Sequence, residues 1–165
     1  MPVREIRLFG DPVLKTVCDP IFEFDDSTSA LVRDLLDTTS LPGRAGVAAP
    51  QIGVSLRAFS FHVDDQLGYV LNPRLVETGG ELREIEEGCL SVPDLWHKTP
   101  RYEFARVEGV DQHGNVVILE GTGLMSQMLQ HETDHLEGLL YLDRLSTSGR
   151  KEAMQQLRAT EWFLK

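Results

Sequence analysis

The spacing of apolar residues changes along the chain, from helical intervals near the start, to alternation in the middle, and back to helical intervals after residue 120. Residues three or four positions apart share a helix face, whereas alternating residues share one face of a strand. The pattern predicts three helices, over residues 25–38, 122–137 and 148–163, the first with Asp26 or Ser27 as its N-cap.

The middle of the chain has the pattern of short strands. Asn-Pro at 72–73 and Gly-Gly at 79–80 interrupt the apolar runs, and Asp-Gln-His-Gly at 111–114 has the composition of a hairpin turn. Strands are predicted at residues 57–62, 68–71, 74–78, 82–86, 102–110 and 115–119. Helices at both ends of a block of strands favour an α+β fold, with short antiparallel or mixed sheets around a central helix and a further helix at the C-terminus.

Length and charge narrow the class of protein. The chain has 165 residues, 41% of them hydrophobic and 25% charged, and no linker divides it, so we expect one domain over residues 1–165. A net charge of -10 argues against a DNA-binding protein or a protein that binds anionic membranes. One region differs, because residues 144–165 hold five basic side chains and only two acidic ones.

The cysteines and the first residues indicate a cellular compartment. Only two cysteines occur, Cys18 and Cys89, which is too few for a disulfide framework and favours a reducing environment. The start of the chain lacks the apolar core of a signal peptide, and no stretch approaches the roughly 20 apolar residues that span a bilayer. We therefore expect a soluble cytoplasmic protein, with a monomer as the default.

The sequence His-Glu-Thr-Asp-His at 131–135 lies within the second predicted helix. Residues four apart share a helix face, so His131 and His135 can direct their imidazoles at one metal ion. Glu132, beside the first histidine, can reach a water molecule that the ion activates. Two imidazoles do not complete such a site, and a third ligand has to come from elsewhere.

The residues alone do not identify the third metal ligand. Cys89 would add a thiolate and leave one coordination position for water, as catalytic metals require. A free cysteine is more often a small buried core residue, so the two readings of Cys89 are about equally supported. The other candidates are a carboxylate or one of the remaining histidines, which are His62, His97 and His113.

Three separated segments resemble the signature blocks of the peptide deformylase family. They read Gly-Val-Ala-Ala-Pro-Gln at 46–51, Glu-Gly-Cys-Leu-Ser at 87–91, and Gln-His-Glu-Thr-Asp-His-Leu at 130–136, and Gly-Asp-Pro-Val-Leu at 10–14 is a fourth match. The blocks stand in the family's order, so the resemblance covers nearly the whole chain. It implies a metal-dependent hydrolase that removes the formyl group from N-formylmethionine at the start of new polypeptides and releases formate.

The resemblance also implies a role for particular residues. It assigns Cys89, His131 and His135 to the metal and Glu132 to the transfer of protons, as general base and then general acid. The side chain of Gln51 and the backbone N–H of Leu90 would stabilise the oxyanion that forms at the formyl group, as such donors do in acyl transfer. Fe²⁺ is the expected native ion, with Ni²⁺ and Co²⁺ as active substitutes and Zn²⁺ less active.

Substrate contacts are expected from five residues around the cleft, namely Ala45, Gly46, Val47, Gly88 and Trp96. Gly46 and Val47 would offer backbone groups to the peptide, and Ala45 would widen the wall of the methionine pocket. Trp96 stands where many relatives have a polar or basic residue, and it could contact the substrate or pack internally. Arg44 replaces a glycine of the family and is expected to point to solvent, and Arg101 and Asp134 are expected to form an ion pair.

Two other functions remain to be compared with deformylation. A zinc endopeptidase of the His-Glu-x-x-His type usually takes a third histidine or glutamate after the helix, and beyond Gly138 the chain has no histidine and only Glu152 and Glu161. A catalytically inactive homologue could bind formylated peptides or the ribosome, the latter through the basic helix at residues 148–165. The presence of Glu132 and Gln51 favours an active enzyme.

Overall fold

The computed structural model describes residues 3–163. Its three α-helices are α1 (Asp26–Thr39), α2 (Gly123–Leu136) and α3 (Thr147–Arg158), and its strands are β1 (Gly46–Ala48), β2 (Ala58–Val63), β3 (Gln66–Cys89), β4 (Val92–Val110) and β5 (Val116–Thr122). Short 3₁₀ turns lie at Pro12–Lys15, Ala49–Ile52 and Tyr141–Arg144. The predicted α+β class is confirmed.

The five strands form one antiparallel sheet in the order β1-β2-β3-β4-β5. The short strands predicted between residues 68 and 86 are parts of the single 24-residue strand β3. Shifts of register against β4 follow Leu71, Leu75 and Gly79, and the first and third coincide with the Asn-Pro and Gly-Gly pairs at which strands were predicted to end. A β-bulge interrupts alternation and bends a strand without ending it. The prediction of strand ends at these two pairs was wrong, because β3 continues through both of them, and the shift after Leu75 was not predicted.

The helix ends differ from the prediction in two places. The N-cap of α1 is Asp25, whose carboxylate accepts hydrogen bonds from the backbone N–H groups of Ser27 and Thr28, so neither Asp26 nor Ser27 is the cap. Helix α3 ends at Arg158 and not near residue 163. The chain turns there, and the ring of Phe163 packs 5.7 Å from that of Phe9.

The core between α2 and the sheet determines where the histidine helix lies. Met128, Leu129 and Leu136 on α2 pack against apolar side chains of β2, β3 and β4, including Phe59 and Val107. These five named side chains are at most 2% exposed, and the burial of each contributes about 1.5–3 kcal/mol to stability. This packing fixes the position of α2, which carries both histidines, against the sheet.

The other two helices cover the ends of the sheet. Helix α1 packs on β1 and β2 through Leu31, Val32 and Leu35. Helix α3 inserts Ala153 and Leu157 beside the turn that joins β3 to β4. Within residues 3–163, none of the helices has the length and apolar character needed to cross a membrane.

Candidate metal centre and active site

Two histidines of α2 and one cysteine of β3 lie close together. His131 and His135 are one helical turn apart, and their Nε2 atoms lie 3.2 Å from each other. Cys89 is the last residue of β3, and its Sγ lies 3.5 Å from Nε2 of His135. The three donor atoms all lie within 4.8 Å of one another. The structure thus brings together the three residues that the resemblance assigned to the metal.

A buried carboxylate orients the first of these histidines. Nδ1 of His131 donates a hydrogen bond to Oε2 of Glu87 over 2.7 Å, which leaves Nε2 available as a ligand. Glu87 lies two residues before Cys89, on the same strand, and is 3% exposed. The hairpin of β3 and β4 therefore supplies both the thiolate and the group that orients an imidazole.

Glu87 is held ionised by a buried network. Burial alone would raise its pKa, but hydrogen bonds and charge from Arg101 and His131 outweigh burial and lower the pKa to about 2. The guanidinium of Arg101 donates to both oxygens of Glu87, at 2.9 and 2.6 Å, and to Asp134 at 2.8 Å. Arg144 donates to both oxygens of Asp134, at 3.1 and 2.7 Å. The Arg101–Asp134 ion pair has the geometry that the resemblance implied.

The two imidazoles have opposite pKa shifts. Burial lowers the pKa of both, but at His131 the neighbouring Cys89 and the carboxylates raise it well above its usual value. At His135 burial prevails, the charge of His131 adds to it, and the pKa falls well below its usual value. The polypeptide thus offers one neutral imidazole, and a second whose proton is held by adjacent negative charge. A positive ion at the three donor atoms would stabilise the same negative charge.

A divalent cation fits this donor set. One thiolate and two imidazoles suit several borderline ions, among them zinc, iron, cobalt and nickel. Three protein ligands leave a position for water, which distinguishes catalytic from structural sites. The three donor atoms are already close enough together to contact one ion.

Glu132 lies in the same site and is almost fully buried, with 3% exposure. Its Oε1 has no hydrogen-bond partner within residues 3–163, and burial raises its pKa to about 7. Gly46 of β1 lies directly against this carboxylate, so closely that a Cβ at residue 46 would be only 2.7 Å from Oε2 of Glu132. The buried carboxyl group is thus confined in position and able to exchange a proton near neutral pH.

An amide side chain lies on the other side of the cysteine. Oε1 of Gln51 accepts a hydrogen bond from the backbone N–H of Ala48, which orients the amide. Its Nε2 then points toward Ser91 Oγ at 3.2 Å and Cys89 Sγ at 3.7 Å. The N–H donors of Gln51 therefore face the region where the three ligand atoms meet. Ser91 was not singled out from the sequence, although it belongs to the same block as Cys89.

Cys89, His131, Glu132 and Gln51 line one open cleft of about 910 Å³. Among the predicted substrate-binding residues, the cleft is lined by Ala45, Gly46, Gly88 and Trp96, and Leu90 lines it as well. The side chain of Val47 does not line it, because alternation along β1 turns that side chain into the core beneath α1. Any contact of Val47 with a substrate would use its backbone.

Trp96 and Arg44 occupy the rim of this cleft. The ring of Trp96 packs on the backbone of Gly88, where a Cβ would lie 2.6 Å from the ring, yet 66% of Trp96 stays exposed. Trp96 therefore packs against Gly88 and still leaves most of its surface available to a substrate. Arg44 is only partly exposed, and its guanidinium donates to the backbone oxygen of Thr38 over 2.9 Å, so it does not simply point to solvent.

The remaining histidines lie outside the metal centre. His62 lines the cleft, and His113 lies in the β4–β5 turn as predicted. His97 is partly exposed on β4, and its ring nitrogens lie 2.9 Å from Tyr141 Oη and 2.6 Å from Gln156 Oε1. Cys18 is buried in the core beneath α2.

A partly buried cysteine and two histidines, next to a buried carboxyl group and an amide donor in an open cleft, are typical of the class of metal-dependent hydrolases. The model of the family described as polypeptide deformylase matches residues 3–151. A peptide deformylase of Parafrankia is 48% identical over 163 residues, covering 98% of this chain and 89% of that one. Peptide deformylase 1 of Corynebacterium efficiens is 46% identical over 169 residues, covering both chains completely.

Solved structures agree with these relatives. The crystal structure of peptide deformylase from Thermus thermophilus superposes with a TM-score of 0.87 at 39% identity, covering 95% of this chain and 94% of that one. The crystal structure of a peptide deformylase from Legionella pneumophila gives a TM-score of 0.85 at 35% identity, covering 96% and 99%. The chain belongs to the polypeptide deformylase family, and it is a hydrolase.

Proposed function

We propose that this enzyme hydrolyses the formamide bond of N-formylmethionine at the start of newly made polypeptides in the cytoplasm, releasing formate and a free amino terminus. The observation that carries the proposal is the convergence of Cys89, His131 and His135 beside the buried carboxyl group of Glu132. Family membership supports the same reaction.

Cys89, His131 and His135 would hold one divalent cation, with Fe²⁺ as the native ion and Ni²⁺, Co²⁺ or Zn²⁺ as alternatives in purified protein. When bound, such an ion supplies a Lewis acid that lowers the pKa of a water molecule and polarises a carbonyl group. Glu87 supports the ligand set by orienting the imidazole of His131.

Glu132 moves the protons. Its unpartnered Oε1 accepts the proton of the attacking water, and the same oxygen then delivers that proton to the methionyl nitrogen as the C–N bond breaks. Proton uptake and return require a carboxyl group that changes state readily near neutral pH, which agrees with a pKa raised by burial to about 7. Gly46 permits this position because it has no side chain.

Attack on the formyl carbon places negative charge on its oxygen. The amide of Gln51 and the backbone N–H of Leu90 would donate hydrogen bonds to that oxyanion. The hydrogen bond from Ala48 holds the Gln51 amide in place before the reaction, so little reorganisation is needed. The methionine side chain would lie against apolar residues of the cleft, which include Ala45, Leu95, Leu124 and Met128.

The test is formate release from formyl-Met-Ala-Ser by protein prepared anaerobically with Fe²⁺, Ni²⁺ or Co²⁺. We expect turnover by the wild type, and a loss of at least about 10²-fold in kcat for Glu132→Gln, because general acid–base catalysis contributes about 10²–10⁴-fold. Glu152→Gln on α3 is the matched control. No formate release with any of the three ions would refute the proposal.

Two alternatives are less well supported. A zinc endopeptidase would need a third histidine or carboxylate ligand, whereas the group that converges on His131 and His135 is Cys89. An inactive homologue would have no need for the confined carboxyl group of Glu132 or the oriented amide of Gln51. Cleavage of unformylated peptides, or no hydrolysis at all, would favour the first or the second alternative respectively.

Contact with the ribosome through α3 stays a prediction. Of the basic residues that motivate it, Arg144 and Arg150 already form ion pairs, with Asp134 and Asp143 respectively, and Lys165 lies outside the described residues. Deleting α3 would expose the core around Leu157, so charge reversal is the better test. Lys151→Glu with Arg158→Glu should reduce cosedimentation with ribosomes, and unchanged cosedimentation would contradict the contact.

A further inference from the structure

We propose that the mouth of the cleft selects formylated peptides that carry lysine or arginine at the two positions after the methionine. This inference rests on the deformylase function proposed above and names the substrate class within it. Its basis is the charge around the cleft mouth, together with the route that any peptide bound at Glu132 has to take.

The bound peptide has a defined direction in the cleft. The unpartnered Oε1 of Glu132 is buried at the inner end, beside the metal ligands, so the formyl group has to reach that end. A polypeptide continues beyond its first residue, and its chain can leave only through the open mouth. The side chains that follow methionine therefore pass the rim, whichever backbone contacts the first residue makes.

Four exposed carboxylates line the cleft at this rim. Asp64 and Asp65 form the tight turn between β2 and β3, and both have positive φ angles, of 53° and 63°. Glu86 and Asp94 belong to the β3–β4 hairpin and line the same cleft. None of the four carboxylates forms an ion pair with another group in residues 3–163. The β2–β3 turn and the β3–β4 hairpin therefore both present carboxylates that lack an ion-pair partner among the described residues.

Positive charge at the rim is weaker. Arg44 is the one arginine or lysine among the cleft-lining residues, and its guanidinium is turned back to the backbone oxygen of Thr38. Lys98 is opposite Glu86 in the strand register, but it does not line the cleft. His62 also lines the cleft and lies two residues before Asp64 along the chain. The cleft mouth thus has four exposed carboxylates and one guanidinium.

Trp96 adds a surface that suits a long basic side chain. Its ring lies on the same rim and is 66% exposed, while its inner edge is held by contact with Gly88. A lysine or arginine can lay its methylene stem along an aromatic ring and place its charge over the ring face or toward adjacent carboxylates. An acidic side chain at the same place would meet like charges.

The expected preference is moderate and depends on salt. Exposed charge pairs each change a binding constant by a factor of up to about 5. At low ionic strength, kcat/KM for a peptide with two basic residues after methionine should therefore be about tenfold higher than for a peptide with two acidic residues there. The ratio should shrink in 0.5 M salt, because the Debye length falls to a few ångströms, about 3 Å at 1 M. Most of the difference should lie in KM, since the rim does not touch the reacting atoms.

The experiment compares formate release from formyl-Met-Lys-Lys, formyl-Met-Ala-Ala and formyl-Met-Glu-Glu by the wild-type holoenzyme. The triple variant Asp64→Asn, Asp65→Asn and Asp94→Asn tests the cause, and asparagine is chosen because it tolerates positive φ. The ratio of kcat/KM between the lysine and glutamate peptides should fall at least about threefold in this variant. The control Glu152→Gln, which removes a charge far along the chain on α3, should leave the ratio unchanged.

The outcomes separate the two levels of the proposal. Efficient turnover of the alanine peptide with equal kcat/KM for the two charged peptides would overturn the charge preference and leave the deformylase function intact. A preference that the triple variant retains would also overturn it, because the rim carboxylates would not be its source. No turnover of any of the three peptides would overturn the deformylase function, and the charge preference with it.

Discussion

Replacing Arg101 with methionine should cost about 3–5 kcal/mol of unfolding free energy. Arg101 is 3% exposed and donates three charge-assisted hydrogen bonds, two to Glu87 and one to Asp134, all between 2.6 and 2.9 Å. Methionine fills similar volume but leaves Glu87 as a buried carboxylate with His131 as its one remaining cationic partner. Removing one member of a buried ion pair typically costs about 3–5 kcal/mol, because the charge left behind is uncompensated.

A matched control lies on the same strand. Arg106 pairs with Glu108 at 3.3 Å, and both side chains are about one-third exposed, so Arg106→Met should cost no more than about 1 kcal/mol. Urea unfolding of the metal-free proteins measures both changes without a contribution from bound metal. If Arg101→Met cost no more than Arg106→Met, the buried network would not stabilise the site as described.

Three further substitutions test local features. Gly46→Ala should lower kcat about 10²-fold in a folded protein. The new Cβ would lie 2.7 Å from Oε2 of Glu132, which is too close, so the carboxylate has to move. A normal kcat would contradict this. Gly88→Ala should cost about 1–3 kcal/mol in urea unfolding by overlap with Trp96, and adding Trp96→Ala should recover part of the loss; no recovery would refute the overlap. Burial tends to raise the pKa of Asp143, but hydrogen bonds from one backbone N–H and two basic side chains lower it. The stability that Asp143 contributes is therefore present above its unfolded pKa of about 3.9 and is lost as pH falls through its folded pKa. Asp143→Asn should be less stable than wild type at pH 7, with the difference shrinking below about pH 4; a constant difference would contradict the shift.

The histidine helix and the α+β class follow from local pattern. His131 and His135 share a face because of the helical repeat, which is visible in any window that contains them. Cys89 is different, because its approach to His135 joins residues 46 positions apart through the β3–β4 hairpin. From the residues alone that contact was no better supported than a buried core thiol, and the family resemblance was needed to favour it.

Glu87 shows what local pattern does not reveal. Its block was recognised, but its hydrogen bond to His131 and its two bonds to Arg101 depend on the register of β3 against β4 and on the position of α2. An acidic residue two positions before a candidate ligand was the available signal. The continuity of β3 was hidden for a related reason, because bulges disturb the alternation by which strands are recognised.

The ligands of the bound cation are the most direct test of the metal centre, on which all the proposed roles depend. X-ray absorption of the zinc-loaded protein, with one equivalent of Zn²⁺ bound, should give one sulfur ligand at about 2.3 Å and imidazole nitrogens at about 2.0–2.1 Å. The sulfur shell should disappear in Cys89→Ala. A spectrum without sulfur in the wild type, or a sulfur shell that persists in Cys89→Ala, would contradict a centre built from Cys89, His131 and His135.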